Sequence, residues 1–227
     1  MSVFGPDWDK HYEKIEADWE ANVKADDLVL IPGDISWAMR LEEAKADLDW
    51  IDARPGTKLF IRGNHDYWCQ APTKVRQVLP PSVHLIWSDA YLWNDVAICG
   101  TRLWDSPEFD FGPYIEMKKP VKEGTKEESP EESEKVFRRE VGRLETSLKL
   151  LDPKARLKIA MLHYPPISAD LQESIVSKLL EAANINICVF GHLHSLRPNQ
   201  TLFGTKNGIT YHLTSCDWLN FKLLKIA

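Results

Sequence analysis

Residues 58–66 read KLFIRGNHD: an apolar run passes directly into a glycine and then into an amide, an imidazole and a carboxylate. A short apolar run bounded by turn residues is typical of a buried strand. Open α/β sheets place their ligand sites outside the carboxyl ends of their strands. The stretch therefore predicts a strand that delivers Asn64, His65 and Asp66 to a functional edge of a sheet.

Three other apolar runs, at 28–31, 157–162 and 187–190, also end in side chains that can bind a metal. The side chains that follow them are Asp34, His163, His192 and His194. Strands of one sheet end near one another, so we expect these side chains to converge with Asn64. His192 and His194 are two positions apart, which places both imidazoles on one face if the backbone is extended.

A carboxylate, an amide oxygen and several imidazoles together suit a divalent ion such as Mn, Fe or Zn. No thiolate belongs to the set, which argues against a structural zinc site. Gly33, Gly63 and Gly191 stand at the sharp exits from the strands, where close backbone approach or positive φ favours glycine. The sequence thus predicts a metal site at the strand ends.

Length and composition describe an ordinary globular chain. The 227 residues, 44% hydrophobic and 27% charged, predict one domain over residues 1–227 and exclude general disorder. No apolar window is long enough to span a membrane, and the start of the chain lacks the pattern of a signal peptide. The net charge of −6 disfavours a broad nucleic-acid-binding surface.

The four cysteines include no C-x-x-C pair, and Cys99 and Cys188 lie within apolar runs. This usage predicts free structural thiols and a reducing, cytoplasmic location. The sequence makes no prediction of oligomeric state.

The order of elements is that of an α/β protein with an insertion. We expect a helix over 8–23, a hairpin turn at Asn94-Asp95, and a solvated acidic loop or lid over about 105–134. Two or three strands are expected near the C-terminus, around 200–204, 209–214 and 218–225. Asp217 is interpreted as a turn residue. Trp37, Arg40 and Arg102 are weaker candidates for a substrate pocket.

In their order and spacing, Gly33-Asp34, the GNHD stretch, His163 and the GHLH stretch resemble the calcineurin-like metallophosphoesterases. The stretch Ser215-Cys216-Asp217-Trp218-Leu219 and the acidic insertion resemble a bacterial branch of that family. The resemblance runs from about residue 27 to 217. It implies a β-sandwich flanked by helices, with a dinuclear metal centre at the strand ends. It implies a hydrolase that cleaves a phosphomonoester or phosphodiester of a small substrate by means of a metal-bound hydroxide.

The resemblance also assigns roles. Asp34 would bridge two metal ions (Mn, Fe or Zn), the second ion would be completed by Asn64, His163 and His192, and His194 would bind the first. His65 would contact the phosphoryl oxygen or protonate the leaving group, and Asp66 would orient His65.

One part of the family pattern is missing. The family begins with a strand that ends in Asp-x-His, and here the nearest such pair is Asp9-Lys10-His11, inside the predicted helix. Positions two apart on a helix point in different directions and cannot chelate together. The first metal would keep only Asp34 and His194, so the chain would hold two ions or only one. We also expect unpaired strand edges, and a natural start roughly 15–20 residues upstream.

These observations leave two classes of function open. The first is a metal-dependent phosphatase-like hydrolase, impaired or intact in this chain. The second is a non-catalytic metal-binding or protein-interaction module derived from the same fold. The His65-Asp66 pair favours the enzyme, and the absent Asp-x-His favours the module.

Overall fold

The computed structural model describes residues 5–116 and 129–227. Two β-sheets pack face to face, and helices cover both outer faces. The helices are α1 (His11–Asn22), α2 (Leu41–Asp52), α3 (Pro72–Val78), α4 (Pro130–Lys149) and α5 (Ile175–Ala182). The strands are β1 (Leu28–Ile31), β2 (Thr57–Phe60), β3 (Val83–Leu85), β4 (Ala90–Trp93), β5 (Val96–Thr101), β6 (Leu157–Leu162), β7 (Ile187–Phe190), β8 (Gly204–Lys206) and β9 (Ile209–Leu213).

The smaller sheet has the order β1-β2-β3 and is parallel throughout. The larger sheet has the order β4-β5-β6-β7-β9-β8, with β5, β6, β7 and β9 parallel and the two outer strands antiparallel. Parallel neighbours need crossover connections, so the carboxyl ends of β1, β2, β5, β6 and β7 carry the loops that hold the predicted site residues. The expected mixed α/β sandwich flanked by helices is confirmed.

Apolar side chains fill three layers. The layer between the sheets contains Leu59 and Ile61 from the β2 segment and Ile98, Met161 and Val189 from the larger sheet. Helices α1, α2 and α3 cover the outer face of the smaller sheet. Helices α4 and α5 cover the outer face of the larger one.

Three local predictions are wrong, and one of them is the strand expected at 200–204, because β8 spans Gly204–Lys206. Residues 8–23 do not form one helix, because a 3-10 turn over Pro6–Trp8 ends at Asp9 and Lys10 adopts φ 52° before α1 begins at His11. Residues 218–225 form no strand. The hairpin at Asn94-Asp95 is confirmed, with Trp93 paired to Val96.

The predicted acidic loop at 105–134 is shorter than expected. Helix α4 already begins at Pro130, and the Ser129 side chain accepts the Glu132 N–H in a capping box. Acidic residues in this first turn complement the helix dipole. Residues 112–116 are held by the stretch after His194, because Ile115 pairs with Leu196 and Glu116 N–H donates to the Ser195 carbonyl at 2.8 Å. Residues 117–128 lie outside the described residues.

All four cysteines are free, as expected: Cys69, Cys99 and Cys188 are buried and Cys216 is half-buried. Burial raises the pKa of the Cys69 and Cys99 thiols to about 12. Of the helices in the described ranges, none is both long and apolar enough to cross a membrane.

A buried lysine ties β2 to the end of α2. Lys58 is 0% exposed, and its ammonium donates to the carbonyls of Asp52, Arg54 and Gly56 at 2.5–3.2 Å and to Ser82 Oγ at 2.8 Å. The last carbonyls of a helix have no partner within the helix. Lys58 therefore supplies the donors that this helix end requires.

Replacing Lys58 with methionine keeps much of the volume but removes these donors and leaves buried carbonyls unpaired. We expect Lys58→Met to lower the free energy of unfolding by about 3 kcal/mol, measured by urea denaturation. The matched control is Lys45→Met on the exposed face of α2, where only a surface ion pair with Asp49 is lost and the change should stay below about 0.5 kcal/mol. Equal effects of the two substitutions would contradict the prediction.

Candidate metal centre

Two loops cross at the carboxyl ends of β1 and β2, and they touch through glycines. A Cβ at Gly33, which has φ +90°, would lie 2.7 Å from Gly63 Cα. A Cβ at Gly63 would lie 2.0 Å from Asp34 Oδ1. Only glycine fits at this crossing, so the two residues bring the Asp34 loop and the Asn64 loop together.

One carboxylate joins the same two loops. Asp66, 0% exposed, accepts the backbone N–H groups of residues 34, 35 and 36 from the first loop, together with the Gly63 N–H and the Trp68 indole N–H. Burial raises the pKa of Asp66 to about 6, while the N–H groups of Gly63 and Ser36 lower it. The group is therefore ionised at neutral pH, the state that accepts all five hydrogen bonds.

The hydrogen bonds of the Asp66 carboxylate go to the two loops, so the expected orientation of His65 by Asp66 stays a prediction and would act through the loop. His65 has further contacts of its own. Its backbone N–H donates to Asp34 Oδ1 at 2.9 Å, and its ring stacks on Trp37 with centroids 5.0 Å apart. Tyr67 Oη lies 3.5 Å from His65 Nδ1.

Four of the predicted ligands, Asp34, Asn64, His163 and His192, lie together. Asn64 Oδ1 is 2.6 Å from His163 Nε2 and 3.1 Å from His192 Nδ1. His163 Nε2 is 3.5 Å from Asp34 Oδ2. Ligand atoms around an ion with bonds of about 2.1 Å lie about 3 Å from one another, so these separations are those of a coordination shell.

The protonation state of the two ring nitrogens of His163 favours a cation beside its Nε2 atom. Its Nδ1 lies 2.8 Å from the Pro32 carbonyl and therefore carries the hydrogen, which leaves a lone pair on Nε2. Burial lowers the pKa of His163 to about 3, so no second proton is held at neutral pH. The Nε2 lone pair then faces the Asn64 amide at 2.6 Å. With Oδ1 toward the ring, two electron-pair donors meet and a cation between them is favoured, whereas the rotated amide would donate an N–H to Nε2.

His192 and His194 do not share one face. His192 has φ 70°, so the backbone is not extended there and the argument from alternation fails. His192 turns toward Asn64, whereas His194 Nδ1 lies 2.8 Å from Asp217 Oδ1. Burial lowers the pKa of His192 to about 3, which leaves its imidazole neutral. Asp34 also has a left-handed backbone conformation, with φ 56°. Such a conformation costs a non-glycine residue about 1–2 kcal/mol.

Asp217, interpreted from the sequence as a turn residue, is part of the site. Besides contacting His194, it accepts the Ser195 N–H at 2.8 Å. Burial raises the pKa of Asp217, but the hydrogen bond from His194 and its charge lower it below the ordinary value overall. A carboxylate on the second nitrogen of a histidine commonly fixes that ring as a metal ligand.

The two predicted metal sites are thus unequal. In residues 5–116 and 129–227, no three histidine, cysteine or acidic side chains stand together as a complete metal cage. The set that fits a divalent ion combines Asp34, the Asn64 amide, His163 and His192. Of the expected first site, the contact that the structure describes is that of His194 Nδ1 with Asp217 Oδ1. Asp9 and His11 do not chelate as a pair either, since Asp9 ends the 3-10 turn and His11 Nδ1 lies 3.1 Å from the Trp8 carbonyl.

An open groove continues from the site along β1. Among the described strands, β1 pairs only with β2, so its other edge has no strand partner there. The groove has a volume of about 1340 Å³. Its apolar walls include β1, Ile159, Val189 and Ile226, and Asp34 and the site histidines stand at one end.

Comparison with known proteins adds a family match. The family model described as calcineurin-like phosphoesterase matches residues 6–196. The Gene 66 protein of Mycobacterium phage D29 is 42% identical over 62 residues, which are 27% of this chain and 29% of the phage protein. The matched stretch thus spans less than a third of that relative's length.

Two solved structures are similar at 13% identity each. The protein of unknown function AQ665 from Aquifex aeolicus has a TM-score of 0.45, with 93% of this chain and 79% of that chain covered. TT1561 of Thermus thermophilus has a TM-score of 0.46, with 83% of this chain and 78% of that chain covered.

Asp66 provides a test of how the site is held together. Asp66→Asn replaces an acceptor oxygen by an NH₂ group that faces N–H donors, so we expect the free energy of unfolding to fall by about 3 kcal/mol or more. Urea denaturation measures it, with Asp47→Asn on the exposed face of α2 as the control for loss of one carboxylate. A change in Asp66→Asn no larger than in the control would show that this carboxylate does not hold the loops.

Proposed function

This chain belongs to the calcineurin-like phosphoesterase family, and on that premise we propose that it is a metal-dependent hydrolase of a phosphomonoester or phosphodiester. The observation that carries the proposal is the contact of His163 Nε2 with Asn64 Oδ1 at 2.6 Å, beside Asp34. These side chains come from the carboxyl ends of three different strands. Their donor atoms meet where an ion with nitrogen and oxygen ligands would be bound.

In this proposal Asp34, Asn64, His163 and His192 hold the ion, and Mn, Fe and Zn all accept this ligand chemistry. A divalent ion there supplies Lewis-acid stabilisation of phosphoryl charge and makes a water molecule more acidic. The low pKa values of His163 and His192 mean that protons do not compete for these two nitrogens at neutral pH. A second ion would use His194, fixed by Asp217.

His65 is the proposed acid. Its backbone is held by Asp34, and Trp37 covers one face of its ring, so the imidazole has a fixed place beside the ligand set. From there it would contact a phosphoryl oxygen or donate a proton to the leaving group. Asp66 acts indirectly in this proposal, because it fixes the loop that carries both Asn64 and His65.

The finer assignments are also proposals. Residues 1–227 are treated as one domain, with a small phosphorylated molecule as its substrate and no nucleic acid as a partner, consistent with the net charge of −6. Manganese is the first metal to try, since carboxylate and amide oxygens suit it. The free, mostly buried cysteines favour a reducing compartment such as the cytoplasm.

The second candidate is a non-catalytic metal-binding or protein-interaction module. One observation favours it: an open, largely apolar groove runs along β1. The two candidates differ in whether bound metal is accompanied by turnover.

We expect His163→Ala and Asn64→Ala each to weaken manganese binding by more than about 100-fold and to abolish hydrolysis of p-nitrophenyl phosphate, because each removes a ligand atom. Elemental analysis after manganese loading and desalting measures the metal, and release of nitrophenol measures turnover. His212→Ala, on β9 and away from the site, is the matched control and should retain both.

The outcomes separate the candidates. One or two ions per chain with turnover that His163→Ala abolishes supports the hydrolase. Bound metal without turnover of any phosphate ester favours the module. Undiminished turnover in His163→Ala or Asn64→Ala would refute the proposed ligand set.

A further inference from the structure

A second polar cluster lines a cleft at the carboxyl ends of β2 and β5, next to α4, which we call the arginine cleft. Arg62 follows β2, Arg102 follows β5, and Arg143 projects from α4 together with Glu140. Both Arg62 and Arg143 stand near the Trp87 ring, at 6.0 and 5.8 Å from its centroid. Neither the fold nor the proposed metal site requires arginines at this point.

Positive charge exceeds negative charge in the arginine cleft. Glu140, 1% exposed, is the only carboxylate among the described residues that line it. Glu140 contacts Arg143 at 2.6 Å and accepts the Thr101 hydroxyl at 3.0 Å, which uses both carboxylate oxygens. Arg102 is 3.6 Å away from Glu140, and Arg139 is 3.8 Å away. Glu140 is thus the shared partner of three arginines, and Arg62 adds a fourth positive charge nearby.

Arg62 has no such partner. Its Nε is buried and makes no hydrogen bond, and no carboxylate of the described chain lies within 4.0 Å of its guanidinium. A buried donor without an acceptor costs about 1–3 kcal/mol. Burial lowers the pKa of the neighbouring Arg102, Glu140 raises it, and the charge of Arg62 lowers it. A bound anion would accept a hydrogen bond from Arg62 Nε and would reduce the repulsion between the Arg62 and Arg102 charges.

The arginine cleft adjoins the metal-ligand set. The Arg102 carbonyl accepts the N–H groups of His163 and Tyr164 at 3.3 and 3.0 Å, and Arg62 is two residues before Asn64 in the same loop. β5 and β6 are direct neighbours in the larger sheet, so the two loops that carry Arg102 and His163 are about 4.8 Å apart. The loops that carry the arginines are thus neighbours of the loops that carry Asn64 and His163.

We propose that the arginine cleft binds a second phosphate group of the substrate, next to the phosphate held at the metal centre. Arginine suits this role because its planar fork of N–H groups matches phosphate oxygens. The cleft is narrow, with a volume of about 20 Å³, about the room of one or two water molecules. Only the oxygens of a phosphate group would enter this narrow cleft. Since another phosphate is held at the metal centre, the preferred substrates carry two phosphates close together.

The first test measures binding without metal and without catalysis. Pyrophosphate is titrated calorimetrically into protein freed of metal on a chelating resin. We expect binding that weakens with added salt. Arg62→Gln and Arg143→Ala should each weaken it about tenfold or more, because each removes charge-assisted hydrogen bonds. Arg62→Gln leaves the partners of Glu140 in place, so it remains informative if Arg143→Ala is unstable.

The matched control is Arg138→Ala, which removes the same charge from α4 at an exposed position paired with Glu134. It should leave pyrophosphate binding within about twofold of the wild type. No pyrophosphate binding by the wild type, or equal weakening in Arg138→Ala, Arg62→Gln and Arg143→Ala, would overturn the proposal.

The second test asks whether the bound phosphate belongs to a substrate, and it rests on the proposed phosphoesterase function. Arg143→Ala should raise KM for 2,3-bisphosphoglycerate about tenfold or more relative to KM for p-nitrophenyl phosphate, which has one phosphate. An unchanged ratio of the two KM values would overturn the assignment to a substrate. If no phosphate ester is hydrolysed, the proposed function fails, whereas the calorimetric result still decides whether the arginine cleft binds phosphate.

Discussion

The Asp66 carboxylate is the interaction on which the candidate site depends. Each of its five N–H partners comes from one of two loops, and these loops carry Asp34 on one side and Asn64 with His65 on the other. A buried carboxylate is costly unless its acceptor positions are filled, so the two loops can take only the arrangement that fills them. The glycine contact at residues 33 and 63 permits the approach, and Asp66 fixes it.

The groove along β1 shows how an edge strand keeps its place with a partner on one side only. Sheet edges expose unpaired backbone groups, yet β1 keeps its register because β2 pairs with it residue for residue from Leu28 to Ile31. The facing apolar wall, with Ile159 and Val189, belongs to the larger sheet and is held by its own strands. The ligand positions at Asn64, His163 and His192 are therefore set by strands that have their partners.

The sequence was sufficient to predict that Asp34, Asn64 and His163 meet, because each follows an apolar run that ends in turn or polar residues. The sandwich itself was implied by the resemblance to the family. It failed where the answer depends on contacts distant in the chain. Asp217 lies in a turn, as expected, but no local pattern marks its pairing with His194. The stretch 218–225 has strand composition, but composition does not provide a neighbouring strand to pair with. The sequence predicted His192 and His194 on one face, as in an extended strand. The left-handed backbone of His192 breaks that geometry.

The hydrogen bond from the His163 ring to the Pro32 carbonyl joins positions 131 residues apart. A growing chain leaves the ribosome from its N-terminus, so the loops around Asp34 and Asn64 emerge long before β6 and β7. Contacts of such large sequence separation form late and slow the folding of parallel sheets. Loop-closure entropy rises only with the logarithm of loop length. The large sequence separation therefore slows folding more than it lowers the stability of the folded state. The ligand set is therefore among the last parts of the molecule to be assembled, and before β7 is synthesised the nascent chain cannot hold an ion as the finished protein would.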